Sequence, residues 1–167
     1  MPKINRVILI IVMLGCLCTD VPKLCGQSIK PEAEVHGDLV KWSSAMKYVS
    51  TDSLEITFHV ELAPGWAIYS QYQQGTGPLP TSINVLNVPQ VSFSEQSAFG
   101  SDGYDPIWDL PIKKFVNDVS FISTAFVRQD MSNGDAVQGN YEYMICDSMQ
   151  CLPPRWVEFE IPIPKKD

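Results

Sequence analysis

Histidine is scarce in this 167-residue chain, and no apolar run is long enough to span a membrane. His36 and His59 both lie far from the cysteine pair near the C-terminus, so the four Cys or His ligands of a zinc site are not assembled. A transmembrane helix needs about 20 apolar residues. Basic residues are also in deficit, because 12 Lys and Arg face 19 Asp and Glu for a net charge of −7. We therefore expect no metal, no cofactor, no nucleic acid partner and no membrane span in the mature chain.

Residues 1–26 predict a secretory signal peptide. Lys3 and Arg6 precede a short apolar core, Val7 to Leu14, and small residues follow. Cleavage after Gly26 would leave Gln27 as the first residue. The sequence Met-Leu-Gly-Cys at 13–16 faintly resembles a lipoprotein acylation box, which leaves an N-terminal lipid anchor open. We expect the mature chain to be exported.

Removal of residues 1–26 changes both the charge and the cysteine count. It takes away three basic residues and one acidic residue, which leaves 9 and 18 and a net charge of −9. It also takes away Cys16, Cys18 and Cys25. Cys146 and Cys151 then form an even pair in an oxidising compartment, where disulfides persist.

The remaining chain has the size of one domain and reads as all-β. We predict a polar, loosely structured lead-in for residues 27–38 and the domain itself for residues 39–167. Alternation is clearest in Leu54 to Leu62, and Pro64-Gly65 has the composition of a type II turn. We expect no helix, an irregular loop from 97 to 111, and a turn at Asn133-Gly134. About eight short strands with turns between them indicate a two-sheet β-sandwich. The other predicted strands are 40–48, 66–70, 81–86, 112–117, 119–128, 140–145 and 156–163.

Cys146 and Cys151 lie four residues apart in a turn-like insert between two predicted strands. A bridge closing about six residues stabilises by only about 2 kcal/mol, against about 4 kcal/mol for a sixty-residue loop. The pair is therefore a weak structural staple, and short or exposed bridges are the easily reduced kind. The spacing leaves two interpretations open, a redox-active pair and a bridge that only closes a hairpin.

Three segments together resemble the N-terminal periplasmic domain of DsbD-type thiol:disulfide interchange proteins. They occur in the family's order and the likeness runs from about Trp42 to Ile163. The segments are Pro64-Gly-Trp66-Ala-Ile-Tyr69-Ser-Gln71, Gly139-Asn-Tyr141, and Cys146-Asp147 followed by Cys151-Leu-Pro-Pro154.

That resemblance implies an immunoglobulin-like β-sandwich with a redox-active pair at one end. By residue, it implies that Cys151 forms mixed disulfides with partners and that Cys146 resolves them. It places Tyr69 beside the pair and makes Phe99 the candidate aromatic of a cap loop. Trp66, in the same motif as Tyr69, and Asp147, next to Cys146, are further candidates for lining the site, although packing and turn roles suit them too.

The implied partners are thioredoxin-like periplasmic proteins or a membrane thiol reductase, with the chain acting as a monomer. Three departures from the family bear on this. The cysteines are separated by four residues instead of five, and the segment between Gly100 and Pro111 is longer. The chain also ends at Asp167 without a transmembrane or thioredoxin-like part, so we expect a separate protein as electron donor.

The sequence also leaves open a function of another class, that of a binding protein. An exported β-sandwich could bind a protein or a glycan, with the short disulfide only tightening a hairpin. Four tryptophans and six tyrosines would suit such a binding face.

Overall fold

The computed structural model describes residues 32–73, 75–89, 92–126 and 135–165. The predicted signal peptide, the first part of the lead-in and the Asn133-Gly134 turn lie outside these ranges. Within them the chain forms one short helix and eleven strands. These are α1 (Glu32–Leu39), β1 (Val40–Tyr48), β2 (Ser53–Leu62), β3 (Ala67–Tyr69), β4 (Ser82–Val85), β5 (Ser94–Gln96), β6 (Gly100–Asp105), β7 (Leu110–Val116), β8 (Asp118–Phe126), β9 (Ala136–Tyr143), β10 (Ile145–Cys146) and β11 (Arg155–Pro162).

The strands form three antiparallel sheets around a shared core, one more than the two predicted, and the predicted all-β, immunoglobulin-like sandwich is confirmed. The first sheet has the order β1-β2-β8-β5. The second, which we call the disulfide sheet, has the order β10-β3-β7-β6, and the third has the order β11-β9-β4. No helix in the described ranges has the length and apolar character needed to cross a membrane.

The central strand β2 shows why the sequence folds as a sandwich. Its alternate residues Leu54, Ile56, Phe58, Val60 and Leu62 are buried, as the period-two pattern predicted. The residues between them are half-buried or exposed. One face of β2 therefore packs into the core while the other meets solvent.

Aromatic rings join the first sheet to the third across that core. Phe58 on β2 meets Phe159 on β11 edge to face, with ring centroids 4.8 Å apart. Trp42 on β1 stacks on Tyr141 of β9 at 4.1 Å. Such pairs add about 0.5–1.5 kcal/mol beyond the burial of their area. The two layers are thus held together by interdigitated rings.

Two expectations about local structure were wrong. The first concerned the end of the lead-in, where α1 forms although its polar sequence has no helical period. The buried His36 of this helix packs edge-on against Tyr143, with ring centroids 5.7 Å apart. The helix therefore makes a tertiary contact although its sequence has no apolar stripe.

The second error concerned the segment predicted to be irregular between residues 97 and 111. Residues Gly100 to Asp105 form the edge strand β6, which pairs with β7 from Gly100↔Phe115 to Asp105↔Leu110. All of β6 except Asp105 is exposed, and its Gly, Ser and Asp residues are poor strand formers. Pairing with the β7 backbone forms this strand. Its side chains are mostly exposed, so the sequence shows no alternating apolar pattern that would indicate it.

Candidate functional site

Cys146 and Cys151 are joined in a disulfide that closes a tight hairpin. Their Cα atoms are 4.0 Å apart, and the two residues also form a β-bridge. Just beyond the pair, the amide of Leu152 donates to the carbonyl of Ile145 at 3.0 Å. The backbone therefore holds the hairpin closed independently of the sulfur–sulfur bond.

The four residues between the cysteines form a turn organised by Asp147. Its Oδ1 accepts the amides of Met149 at 2.7 Å and Gln150 at 2.8 Å, and its own amide donates to the carbonyl of Gln150 at 2.9 Å. An Asp that bonds the backbone two and three residues ahead is a common turn former. The side chain of Asp147 thus has the turn role that the sequence left open.

The disulfide lies on the face of its sheet that points away from the main core. Cys146 pairs with Ala67 on β3, and its neighbour Ile145 pairs with Ile68. Because side chains alternate along a strand, Ile145 and Ile68 enter the main core whereas Cys146 enters a separate cluster. We call this the outer cluster. Its buried members are Tyr69, Ile112, Met144 and Cys146, with Leu79, Trp108, Leu110 and Cys151 packed against them.

The two sulfur-bearing residues differ in their access to solvent. Cys146 is only 2% exposed, whereas Cys151 is half-buried. Met149, at the tip of the turn between them, is 89% exposed. Cys151 is therefore the more solvent-accessible residue of the pair.

A cavity of about 200 Å³ adjoins the buried cysteine. Apolar residues such as Ala67 and Ile107 line it together with Cys146, Asp105 and Lys114. The Nζ of Lys114 lies 2.6 Å from Oδ2 of Asp105, whose side chain is 1% exposed. Burial alone would raise the pKa of Asp105, but hydrogen bonds from Lys114 and the amide of Ile107 outweigh it and lower the pKa. Asp105 is therefore a buried carboxylate held in its charged form.

Tyr69 is the predicted aromatic that the structure brings to the disulfide. It is buried in the outer cluster, and its hydroxyl accepts a hydrogen bond from Nε1 of Trp108 at 3.4 Å. Burial raises the pKa of Tyr69, and the negative charge of Asp105 raises it further, against the opposing Trp108 hydrogen bond. Tyr69 is thus a neutral phenol beside the sulfurs at ordinary pH.

Two other candidate residues lie away from the pair. Trp66 is partly buried against the main core, not in the outer cluster. Phe99 is 47% exposed at the start of the edge strand β6, and its carbonyl accepts the amide of Val116 at 3.3 Å. Neither residue belongs to the outer cluster or lines the cavity. The cap role of Phe99 stays a prediction.

Sequence reasoning missed Trp108, Asp105 and Lys114. Trp108 packs against the outer cluster from the β6–β7 turn, and the presence of a tryptophan in the segment predicted to be irregular was the one signal for it. Asp105 and Lys114 carried no such signal. Their place in the same sheet as Cys146 follows only from the strand order of the disulfide sheet.

Fold and site together define an immunoglobulin-like β-sandwich that carries a disulfide hairpin on the outer face of one sheet. The N-terminal periplasmic domain of ScsB from Proteus mirabilis is a similar solved structure, with a TM-score of 0.56 and 19% identity. The match covers 75% of this chain and 47% of that one, so the chain spans about half the length of its neighbour. At this identity the likeness establishes the fold.

A second similar solved structure has a lower TM-score. The Neisseria meningitidis DsbD N-terminal domain in its reduced form matches with a TM-score of 0.46 and 17% identity, over 78% of this chain and 94% of that one. The structural neighbours thus include N-terminal periplasmic domains of ScsB and DsbD, the kind of domain that the sequence resembles. A scan of protein-family models and a search of curated proteins gave no match to the sequence.

Proposed function

We propose that this chain is a periplasmic thiol–disulfide exchange module that passes reducing equivalents through Cys146 and Cys151. Its donor would be a thioredoxin-like protein or a membrane thiol reductase, and its acceptors would be disulfides of exported proteins. The signal-like residues 1–26 and the periplasmic origin of the ScsB domain support this location.

The exchange is a two-electron transfer in two steps. A partner thiolate attacks Sγ of Cys151, the sulfur–sulfur bond breaks, and Cys146 leaves as a thiolate. The partner's second thiol then attacks the mixed disulfide and releases Cys151. The partner dithiol is oxidised to a disulfide while the pair in this chain is reduced. In the reverse direction, the thiolate of Cys151 attacks an acceptor disulfide and Cys146 resolves the adduct.

The difference in exposure between the two sulfurs carries the proposal. An attacking thiolate needs an in-line approach to one sulfur, and access is a main determinant of exchange rate. Cys151 is half-buried at the end of an exposed turn, whereas Cys146 is covered by the outer cluster. This asymmetry supports Cys151 as the attacked sulfur and Cys146 as the leaving sulfur.

Trapping with single-cysteine variants tests the assignment. Cys146→Ser and Cys151→Ser proteins are each mixed with a thioredoxin-like protein whose attacking cysteine carries a thionitrobenzoate group. We expect the Cys146→Ser protein to displace that group and form a mixed disulfide much faster than the Cys151→Ser protein. Mass spectrometry of the adduct locates the linked residue, and the cysteine-free double variant measures the background. Faster capture through Cys146 would reverse the two roles, and no capture through either would refute the proposal.

The contrasting hypothesis of an aromatic binding face finds less support in the packing. Trp42 stacks on Tyr141 and contacts Tyr143 at a tilt, and both Trp42 and Trp66 are partly buried against the main core. Among the described residues, the exposed tyrosines and tryptophan lie on a turn, on β6 and on β11, so no one strand carries two of them; they are Tyr72, Tyr104 and Trp156.

A further inference from the structure

A single cation lies among the residues that line the cavity beside Cys146. The titratable and charged groups there are Tyr69, Asp105, Lys114 and Asp147. Tyr69 is a neutral phenol, and the carboxylate of Asp147 is bonded to amides of its own turn. The ammonium of Lys114 is therefore the one positive charge on the cavity wall.

This cation shares a sheet face with the buried cysteine. Cys146 pairs with Ala67, Ala67 pairs with Val116, and Lys114 lies two residues from Val116 on the same strand. Standard strand spacings put the Cα atoms of Cys146 and Lys114 roughly 12 Å apart, with both side chains on one face. A lysine side chain is long enough to cover about half of that distance, and Lys114 and Cys146 both line the same cavity.

The exchange reaction creates a negative charge beside the cavity. This inference rests on the function proposed above, in which opening of the disulfide leaves a full negative charge on Sγ of Cys146. That residue is 2% exposed, so desolvation opposes the thiolate. A nearby cation is the usual way in which proteins favour a thiolate.

We propose that Lys114 stabilises the leaving thiolate of Cys146 and that Asp105 is a positioning residue for Lys114. As the partner thiolate bonds to Cys151, the electron pair of the broken bond passes to Cys146, opposite the ammonium of Lys114. No proton needs to move in this step. The hydrogen bond from Lys114 to the buried carboxylate of Asp105 holds the ammonium on the cavity side of the sheet.

Titration of the free Cys146 thiol tests the proposal directly. In a Cys151→Ser background, thiolate absorbance is followed against pH, with the cysteine-free protein subtracted. Lys114→Met should raise the midpoint by about one pH unit, the lower end of the effect of an opposite charge at close range. Lys114→Arg keeps the charge and should leave the midpoint near its original value. Lys47→Met makes the same change in net charge on β1, where Lys47 pairs with Glu55, and should change nothing.

A second variant covers the case in which Lys114→Met destabilises the fold by leaving Asp105 unpaired. The double variant Asp105→Asn/Lys114→Met removes both charges, and we expect a smaller rise in the midpoint. An unchanged or lowered midpoint in the double variant would overturn the proposal. So would an equal rise with Lys114→Arg and Lys114→Met, which would indicate packing instead of charge. The titration needs no redox partner, so its result is independent of whether the exchange reaction occurs.

Discussion

Reduction of the disulfide should cost the domain little stability, and the structure sets the expected size. A bridge that closes a loop of six residues restricts the unfolded chain by about 2 kcal/mol in the loop-entropy model. The folded hairpin does not depend on the bridge, because the Leu152 amide bonds to Ile145 and Asp147 accepts two turn amides. Met144 and Tyr69 pack beside Cys146, and we expect this packing to persist on reduction. The free energy of unfolding should therefore fall by no more than about 2 kcal/mol on reduction.

Urea unfolding of the oxidised protein and of the protein kept reduced by dithiothreitol measures this difference. Circular dichroism reports the sheets, and tryptophan fluorescence reports Trp42 in the core and Trp108 beside the site. A Cys146→Ala/Cys151→Ala protein controls for effects of the reductant. A loss of about 3–5 kcal/mol, within the range typical of native disulfides in small secreted domains, would refute the reasoning. Loss of cooperative unfolding would also refute it.

Three further outcomes follow from particular contacts. Gly139→Ala should destabilise by about 1–3 kcal/mol in urea unfolding, since a Cβ there would overlap the Asn84 carbonyl and the Phe159 ring; a neutral effect would contradict the packing. The lowered pKa of Asp105 gives stability that is complete above the unfolded value of about 3.9 and is lost as pH falls through the folded pKa. Asp105→Asn should flatten that acid limb in thermal melts, and an unchanged limb would exclude the ion pair. Asp147→Ala should cost about 1 kcal/mol by loss of two turn hydrogen bonds, and no loss in urea unfolding would contradict its turn role.

The sequence predicted the features that depend on neighbouring residues. The alternation in Leu54 to Leu62 placed β2 in the sheet with the correct face buried. Pro64-Gly65 predicted a type II turn, and Gly65 has a φ of 86° while the Trp66 amide donates to the Ala63 carbonyl. The turn-like insert between the cysteines is also a hairpin, as expected.

The features that depend on distant strands could not be predicted. Lys114 and Asp105 meet because β6 and β7 form a hairpin. They belong to the same sheet as Cys146, since β3 lies between β7 and β10 and pairs with both. Neither fact has a local pattern. The helix α1 was missed for a related reason, because its buried His36 packs on Tyr143 from a strand far along the chain.

The reduction potential of the Cys146–Cys151 bond in the native protein tests the central claim most directly. The oxidised protein is equilibrated with a thioredoxin, whose potential is about −270 mV, and both redox pairs are quantified after acid quenching and alkylation. The proposed exchange function predicts a potential above about −300 mV and a measurable reduced fraction of the folded protein at equilibrium with thioredoxin. A potential below that value, with no reduction of the folded protein, would make the bridge structural and contradict the account.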